Sequence, residues 1–311
     1  MNKSITVFIV AYNQEEVISK TLDSILCQKD WGLHQIIVGD DCSSDGTWNL
    51  LEEYHRRYPS IVLPFHNDHN LGIYANMEKV ISLRGASDLY CSTAGDDPYC
   101  DGYFESIQRF IEENNVDTRE AVGIYSDWKS VDLTGKEKVY RQDLAISGHN
   151  LLSLFTRLKI LTRSIMVSRS VVDCYRPVIL DQGINLAEWM YEAQPHRFIQ
   201  KAYYMPKVTT TYYILQGIST RLSVGKSDYY TRQATIKWKY WLDHYVSNEK
   251  DEAYVKYELE KASFFECPKW GKYFRMMYYY LKGLLPHCHN SLKETSILFL
   301  QLARYKIAGH Q

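Results

Sequence analysis

The chain has 311 residues, enough for one large α/β unit with an appendage, and its 36 Lys and Arg nearly balance its 37 Asp and Glu. That balance gives no electrostatic ground for nucleic-acid binding, and no run approaches the roughly 18 apolar residues that a membrane-spanning helix needs. Seven cysteines without a CxxC pair, and an opening Met-Asn-Lys-Ser-Ile-Thr that leads straight into a strand, point to reduced thiols and a cytoplasmic protein with no secretory signal.

Ile5 to Ala11 is a near-continuous apolar run, the pattern of a parallel strand buried on both faces. It breaks at Tyr12-Asn13-Gln14-Glu15-Glu16, where Asn13 as N-cap and Glu16 three places later form a variant capping box, so a helix is expected to start there. Ile18, Leu22, Ile25 and Leu26 then lay one apolar face on the sheet. A second strand, Gln35 to Gly39, ends in Asp40-Asp41-Cys42-Ser43-Ser44-Asp45-Gly46-Thr47. These acids and serines make a polar pocket beside the first turn, able to accept from a base imide or from ribose hydroxyls. Ser44 or Asp45 also reads as the cap of a helix from Thr47 to Tyr58 that stops at Pro59, which leaves Asp41 as the functional acid. A third strand, Ile61 to Phe65, leads to His66-Asn67-Asp68-His69-Asn70-Leu71-Gly72. Its two histidines lack the partners of a zinc site, and a solvated loop is expected.

A helix from Ile73 to Leu83, a strand from Leu89 to Thr93 and a helix from Tyr103 to Asn114 complete an alternation that predicts a doubly wound, parallel α/β sheet. The fourth strand runs into Gly95-Asp96-Asp97-Pro98. Ligands bind at the carboxyl edge of such sheets. Adjacent carboxylates are costly to desolvate unless a cation or hydrogen-bond donors compensate, and hard oxygen ligands suit Mg2+ or Mn2+ on a diphosphate. An acidic turn before Pro98 is the plainer alternative. No GxGxxG follows the first strand, and the absence of GxxxxGK[ST] excludes a P-loop NTPase.

Val7 to Asn13, Ile36 to Thr47, Asn70-Leu71-Gly72 and Gly95-Asp96-Asp97, in that order and spacing, resemble the signature of family 2 glycosyltransferases with the GT-A fold. The resemblance covers about the first 115 residues and continues more weakly to about residue 220. It implies an inverting, metal-dependent enzyme that uses a nucleoside-diphosphate sugar, UDP by precedent, with Mn2+ or Mg2+ as cofactor. It further implies that Val10 and Tyr12 lie against the nucleoside, with Glu15 in the same donor-facing turn. Asp41 would contact uracil, Asp96 the ribose or sugar, and Asp97 the metal. Many members carry another acid two residues before the pair; here that position is Ala94.

Beyond the first half, Val122 to Tyr125 reads as a strand, followed by Ser126-Asp127-Trp128 and a turn at Asp132 to Lys136. Leu161 to Arg169 reads as an apolar-polar strand that lines the acceptor side in the family. Glu188, before Trp189, is the nearest counterpart of the family's general base, with Asp181 or Glu192 as alternatives. A strand at Thr211-Tyr212-Tyr213 precedes a loop, Gln216 to Thr220, that in the family closes on the diphosphate, with Arg221 or Lys226 beyond it expected to help there. The division that follows is a GT-A domain over residues 1–225, with a nucleotide-binding half at 1–115 and an acceptor-binding half at 116–225, and a helical extension over 226–311. In that extension Trp270, Tyr273, Phe274, Tyr278, Tyr279 and Tyr280 interleave with Lys269, Lys272, Arg275 and Lys282. The pattern suits helix packing, a homodimer contact or an anionic membrane surface. A capping box at Ser291 to Glu294 opens a last helix from Ile297 to Ile307.

Three functions compete. The first is sugar transfer to a hydroxyl of a glycan or lipid-linked acceptor, as in surface-polysaccharide biosynthesis. The second is a non-catalytic nucleotide-binding subunit of a synthesis complex. A sugar-nucleotide pyrophosphorylase is the third, and the acidic turn after the first strand, where a triphosphate would need cations, counts against it.

Overall fold

The computed structural model describes residues 2–141, 164–175, 198–214, 238–239, 242–243, 249–266, 270–281 and 300. Among these, eight strands form one sheet. The first half alternates as expected: β1 Ile5–Ala11, α1 Ile18–Leu26, β2 Leu33–Asp40, α2 Thr47–Arg57, β3 Val62–His66, α3 Ile73–Ser82, β4 Leu89–Ala94 and α4 Tyr103–Glu113. β1 pairs parallel with both β2 and β4, and β2 pairs parallel with β3. The order β3-β2-β1-β4 is that of a doubly wound sheet, and β1 lies at its centre because Ile5, Val7 and Ile9 are wholly buried. Each fully buried aliphatic side chain contributes roughly 1.5–3 kcal/mol. Ile18, Leu22, Ile25 and Leu26 of α1 and Phe104, Ile107 and Ile111 of α4 close the core over β1 and β4.

Two local expectations are corrected. Asn13 does not cap α1; it stands in the left-handed region at φ +50°, and the helix opens only at Ile18, with the Val17 and Ile18 N–H groups on the Gln14 carbonyl. The Asn13 side chain is taken up instead by the turn after β2, so the expected capping box with Glu16 does not form. The strand expected at Val122 to Tyr125 continues to Val131 as β5, and a hairpin through Gly135 adds β6 Glu137–Tyr140, which the polar residues concealed.

The second half of the sheet is mixed. β7 Ile165–Ser168 runs antiparallel to both β4 and β5, and β8 Lys201–Tyr213 runs parallel to β5 over its whole length. A four-residue helix, Arg169–Val172, follows β7. Ser126 and Asp127 are buried yet stay in strand because β8 satisfies them: the Ser126 and Thr209 hydroxyls pair at 2.7 Å, and the Tyr204 hydroxyl donates to both Asp127 oxygens at 2.9 and 3.1 Å. Pro206 has no N–H for the ladder, and there the register slips from Ser126↔Met205 to Asp127↔Val208.

Contacts divide the chain into two compact units, one carrying the sheet and its helices and one carrying the C-terminal helices. In the second, α5 Glu249–Glu266 and α6 Trp270–Tyr279 pack against each other, and Val255, Tyr257, Tyr273 and Met276 are buried. The Tyr257 and Tyr280 rings meet there at 5.4 Å. Arg275 is paired with Glu260 at 2.9 Å, while Phe274, Tyr278 and Leu281 are exposed about a turn apart. The expected capping box at Ser291 and the helix after it lie outside the described residues. No described helix is long and apolar enough to cross a membrane.

Candidate active site

The candidate site is built where three neighbouring strands end. The Asp41 N–H donates to the Ala11 carbonyl at 2.9 Å and the Gly95 N–H donates to that of Val10 at 3.2 Å, extending the β1–β2 and β1–β4 ladders to their last residues. Tyr12, Asp41 and the pair Asp96-Asp97 therefore leave the sheet at one edge. Asp41 and the acidic pair are two strand spacings apart, about 10 Å. Val10 and Tyr12, between them, are partly exposed.

The turns after β1 and β2 interlock. The Asn13 N–H donates to Ser43 Oγ at 2.9 Å, the Ser44 N–H to Asn13 Oδ1 at 2.8 Å, the Gln14 N–H to Thr47 Oγ1 at 2.8 Å and the Glu15 N–H to Asp45 Oδ2 at 3.2 Å. The Glu15 carboxylate, expected to face the donor, accepts from the Gly46 N–H at the start of α2. Asn13 tolerates its left-handed backbone because its short amide side chain bonds locally. Cys42 shares the left-handed region, at φ +60°. Gly46 is the N-cap residue of α2, and Asp45 before it accepts from the Thr47 N–H at 3.0 Å and the Thr47 hydroxyl at 2.5 Å, which ties the turn to the first helical residue. Burial raises the pKa of Asp45, but these bonds and the one from the Glu15 N–H outweigh it and hold the carboxyl below its usual range.

Asp40 and Asp41 differ in their neighbours. Asp40, wholly buried, accepts from the Ser43 N–H and hydroxyl and lies 2.6 Å from His66 Nδ1. His66 is thus tied to a carboxylate, while Asp68, His69 and Asn70 are exposed, in keeping with a solvated loop. Asp41, 3 % exposed, accepts at Oδ1 from the Leu71 N–H at 2.8 Å and the Asn67 amide at 3.0 Å, and at Oδ2 from the Gly72 N–H at 2.8 Å. It therefore organises the Asn70-Leu71-Gly72 loop from within. Asn67 also donates to Asn76 Oδ1 and accepts from Lys79, and Asn76 donates to the Gly39 carbonyl at 2.8 Å. Only glycine fits at 39: a Cβ there would come within 2.4 Å of Asn76 Oδ1.

The acidic pair is held from both sides. The Asp97 N–H donates to the Ala94 carbonyl at 3.1 Å, and the Asp97 carbonyl accepts from Thr93 Oγ1 at 2.7 Å. The next residues pair with β8, through the Thr211 N–H on the Pro98 carbonyl and the Cys100 N–H on that of Thr209. Asp97 is 5 % exposed and Asp96 half-buried; Gln14 Nε2 donates to Asp96 Oδ1 at 3.1 Å. Behind the pair, burial pushes the Cys91 thiol up to about 12 and the Tyr99 and Tyr103 hydroxyls well above their ordinary value, so this layer stays neutral and Cys91 is no nucleophile.

Two hard carboxylates at a strand end fit a Mg2+ or Mn2+ ion that completes its shell with phosphate and water. Among the described residues no group of three acidic, histidine or cysteine side chains forms a closed metal cage. Glu188, its alternatives Asp181 and Glu192, and Arg221 and Lys226 lie outside the described residues. Ser43 belongs to the polar pocket expected after the second strand, whereas Gln14, Thr47 and Asn67, which also frame the site, carry no functional reading in the sequence. Their one signal is that each is a small or amide polar residue within seven positions of a strand's carboxyl end.

Comparison with known proteins agrees with this geometry. Residues 6–157 match the model of glycosyl transferase family 2. An uncharacterised protein of Mycobacterium tuberculosis is 37% identical over 93 residues, 30% of this chain and 26% of that protein, so the match spans about a quarter of the relative's length. The structure of S. aureus TarS 1-349 in complex with UDP-GlcNAc superposes with a TM-score of 0.58 at 13% identity, covering 90% of this chain and 81% of that one. The mannosyltransferase PcManGT from Pyrobaculum calidifontis, in complex with GDP-Man and Mn2+, superposes with a TM-score of 0.53 at 12% identity, covering 98% and 82%. At such identities these two establish the fold.

Proposed function

Because residues 6–157 belong to glycosyl transferase family 2, we propose that the protein moves a sugar from a nucleoside diphosphate, UDP in the first instance, to a hydroxyl of a glycan or lipid-linked acceptor. The observation that carries this reading is the exit of Tyr12, Asp41 and Asp96-Asp97 from three adjacent strands at one sheet edge. Val10 and Tyr12 would border the nucleoside. Asp41 uses three acceptor positions on Asn67, Leu71 and Gly72 of the segment after β3, and a carboxylate offers about four, so one remains for a base imide. Asp96 would meet the ribose or sugar, and Asp97 would hold Mn2+ or Mg2+, as the Mn2+ of the mannosyltransferase structure suggests. When bound, such an ion offsets the charge that develops on the leaving diphosphate.

The acceptor hydroxyl must lose its proton to a base, and Glu188 is proposed for that role, giving a single displacement with inversion. Glu188→Gln is expected to leave nucleotide affinity nearly unchanged and abolish transfer, measured by equilibrium binding beside a product assay. Near-normal turnover would move the base elsewhere, Asp181 and Glu192 first. The exposed stripe of Phe274, Tyr278 and Leu281 supports a surface contact by the C-terminal helices, with a second copy or a membrane.

The overall reading is tested by thermal shift with UDP, dTDP and GDP, each with and without Mn2+, followed by hydrolysis of the matching sugar nucleotide. A Mn2+-dependent rise in melting temperature for one nucleotide, with slow release of its sugar to water, is expected. A rise without hydrolysis would favour a non-catalytic nucleotide-binding subunit.

A further inference from the structure

We propose that Gln14 is a positioning residue that aims Asp96 into the donor site, at a cost to the stability of the fold. The inference rests on the donor-site reading above and adds a residue to it. The backbone of Gln14 is fixed at both ends: its N–H donates to Thr47 Oγ1, and its carbonyl accepts from the Val17 and Ile18 N–H groups. From that root the side chain, 5 % exposed, crosses from the β1 turn to the end of β4 and donates through Nε2 to Asp96 Oδ1 at 3.1 Å. It passes over Gly95, where a Cβ would lie 2.2 Å from Gln14 Oε1, so glycine at 95 makes room for the amide.

The other end of the amide makes the case. Gln14 Oε1 is buried and has no hydrogen-bond partner among the described residues. A buried acceptor without a partner is destabilising, and an apolar side chain of the same shape would remove that penalty. What the glutamine supplies that a methionine would not is a donor aimed at Asp96. Held this way, one carboxylate oxygen is occupied and the carboxylate plane is set before any ligand arrives, which lowers the ordering cost of binding.

Gln14→Met tests this, because it keeps the length and removes the amide. UDP and GDP affinities in Mn2+ are measured by calorimetry for the wild type, Gln14→Met, Asp96→Asn and the double variant, with melting temperatures for all four. The expected result is an affinity about tenfold weaker for Gln14→Met, with a melting temperature equal to or above wild type, and no further loss from Gln14→Met in the Asp96→Asn background. Equal affinity in the wild type and Gln14→Met overturns the inference. So does a loss that persists in the Asp96→Asn background with a lowered melting temperature, which would mark a structural role alone. A wild type that binds neither nucleotide would instead sink the donor-site reading, and this inference with it.

Discussion

Asp97→Asn is expected to lower sugar turnover by at least about a thousandfold, roughly 4 kcal/mol of transition-state stabilisation, while the melting temperature stays level or rises slightly. Asp97 is almost wholly buried and adjoins a half-buried second acid, so a negative charge on both at once is costly. Asparagine keeps the shape, and the backbone bonds to Ala94 and Thr93 that place the residue are unaffected. Removing one charge relieves the repulsion yet takes away the ligand on which a divalent ion would depend. A site that improves in stability when a charged residue is neutralised bears the mark of function. The check is product formation or donor hydrolysis in Mn2+ alongside a melting curve. Turnover within tenfold of wild type would return the pair to a structural acidic turn before Pro98.

Asp41→Ala should act in the opposite sense and harm the ligand-free protein itself, by about 3 kcal/mol. Three donors converge on this carboxylate, two from the backbone of Leu71 and Gly72 and one from Asn67; removal loses all three bonds and strands the Leu71 N–H, while the Gly72 N–H keeps Asn70 Oδ1 and the Asn67 amide keeps Asn76 Oδ1, each at 3.1 Å. A stranded group costs about 1–3 kcal/mol, moderated here because the loop borders solvent and water can enter. At roughly 2–4 °C per kcal/mol, the melting temperature should fall by at least about 6 °C. Nucleotide binding should fall too, since the loop from Asn70 to Gly72 would lose its anchor. A residue that served only as a contact for the base would leave the melting curve of the apoprotein where it was, so denaturation without ligand separates the two roles.

These two acids show how far the residues could be read without coordinates. That Asp41 and Asp97 follow strands ending at one edge of the sheet was legible, because apolar runs of seven or so residues, each closed by small polar residues and followed by an amphipathic helix, have few ways to fold other than as a parallel sheet with its ligand edge at the carboxyl ends. What Asp41 does inside the protein was not legible. Its partners at Asn67, Leu71 and Gly72 lie about 30 positions away, and only the packing of α3 against Gly39 brings them within hydrogen-bond reach. Asn13 misled for a related reason. It has the chemistry of a helix cap, but the turn after β2 competes for the same side chain and wins it through Ser44.

The amino-acid order by itself determined the alternation of the first half, the two-sided burial of its first strand and the edge at which the acids gather, because burial on two faces and helix periodicity are local properties of a chain. The tertiary structure alone decided the length of β5, the path of β8 around Pro206, the lock between the first two turns and the reach of Gln14 to Asp96. Each of these sets a buried polar group against a partner distant in sequence, and a polar residue in a string of letters reads as the end of an element until the fold supplies the group that satisfies it.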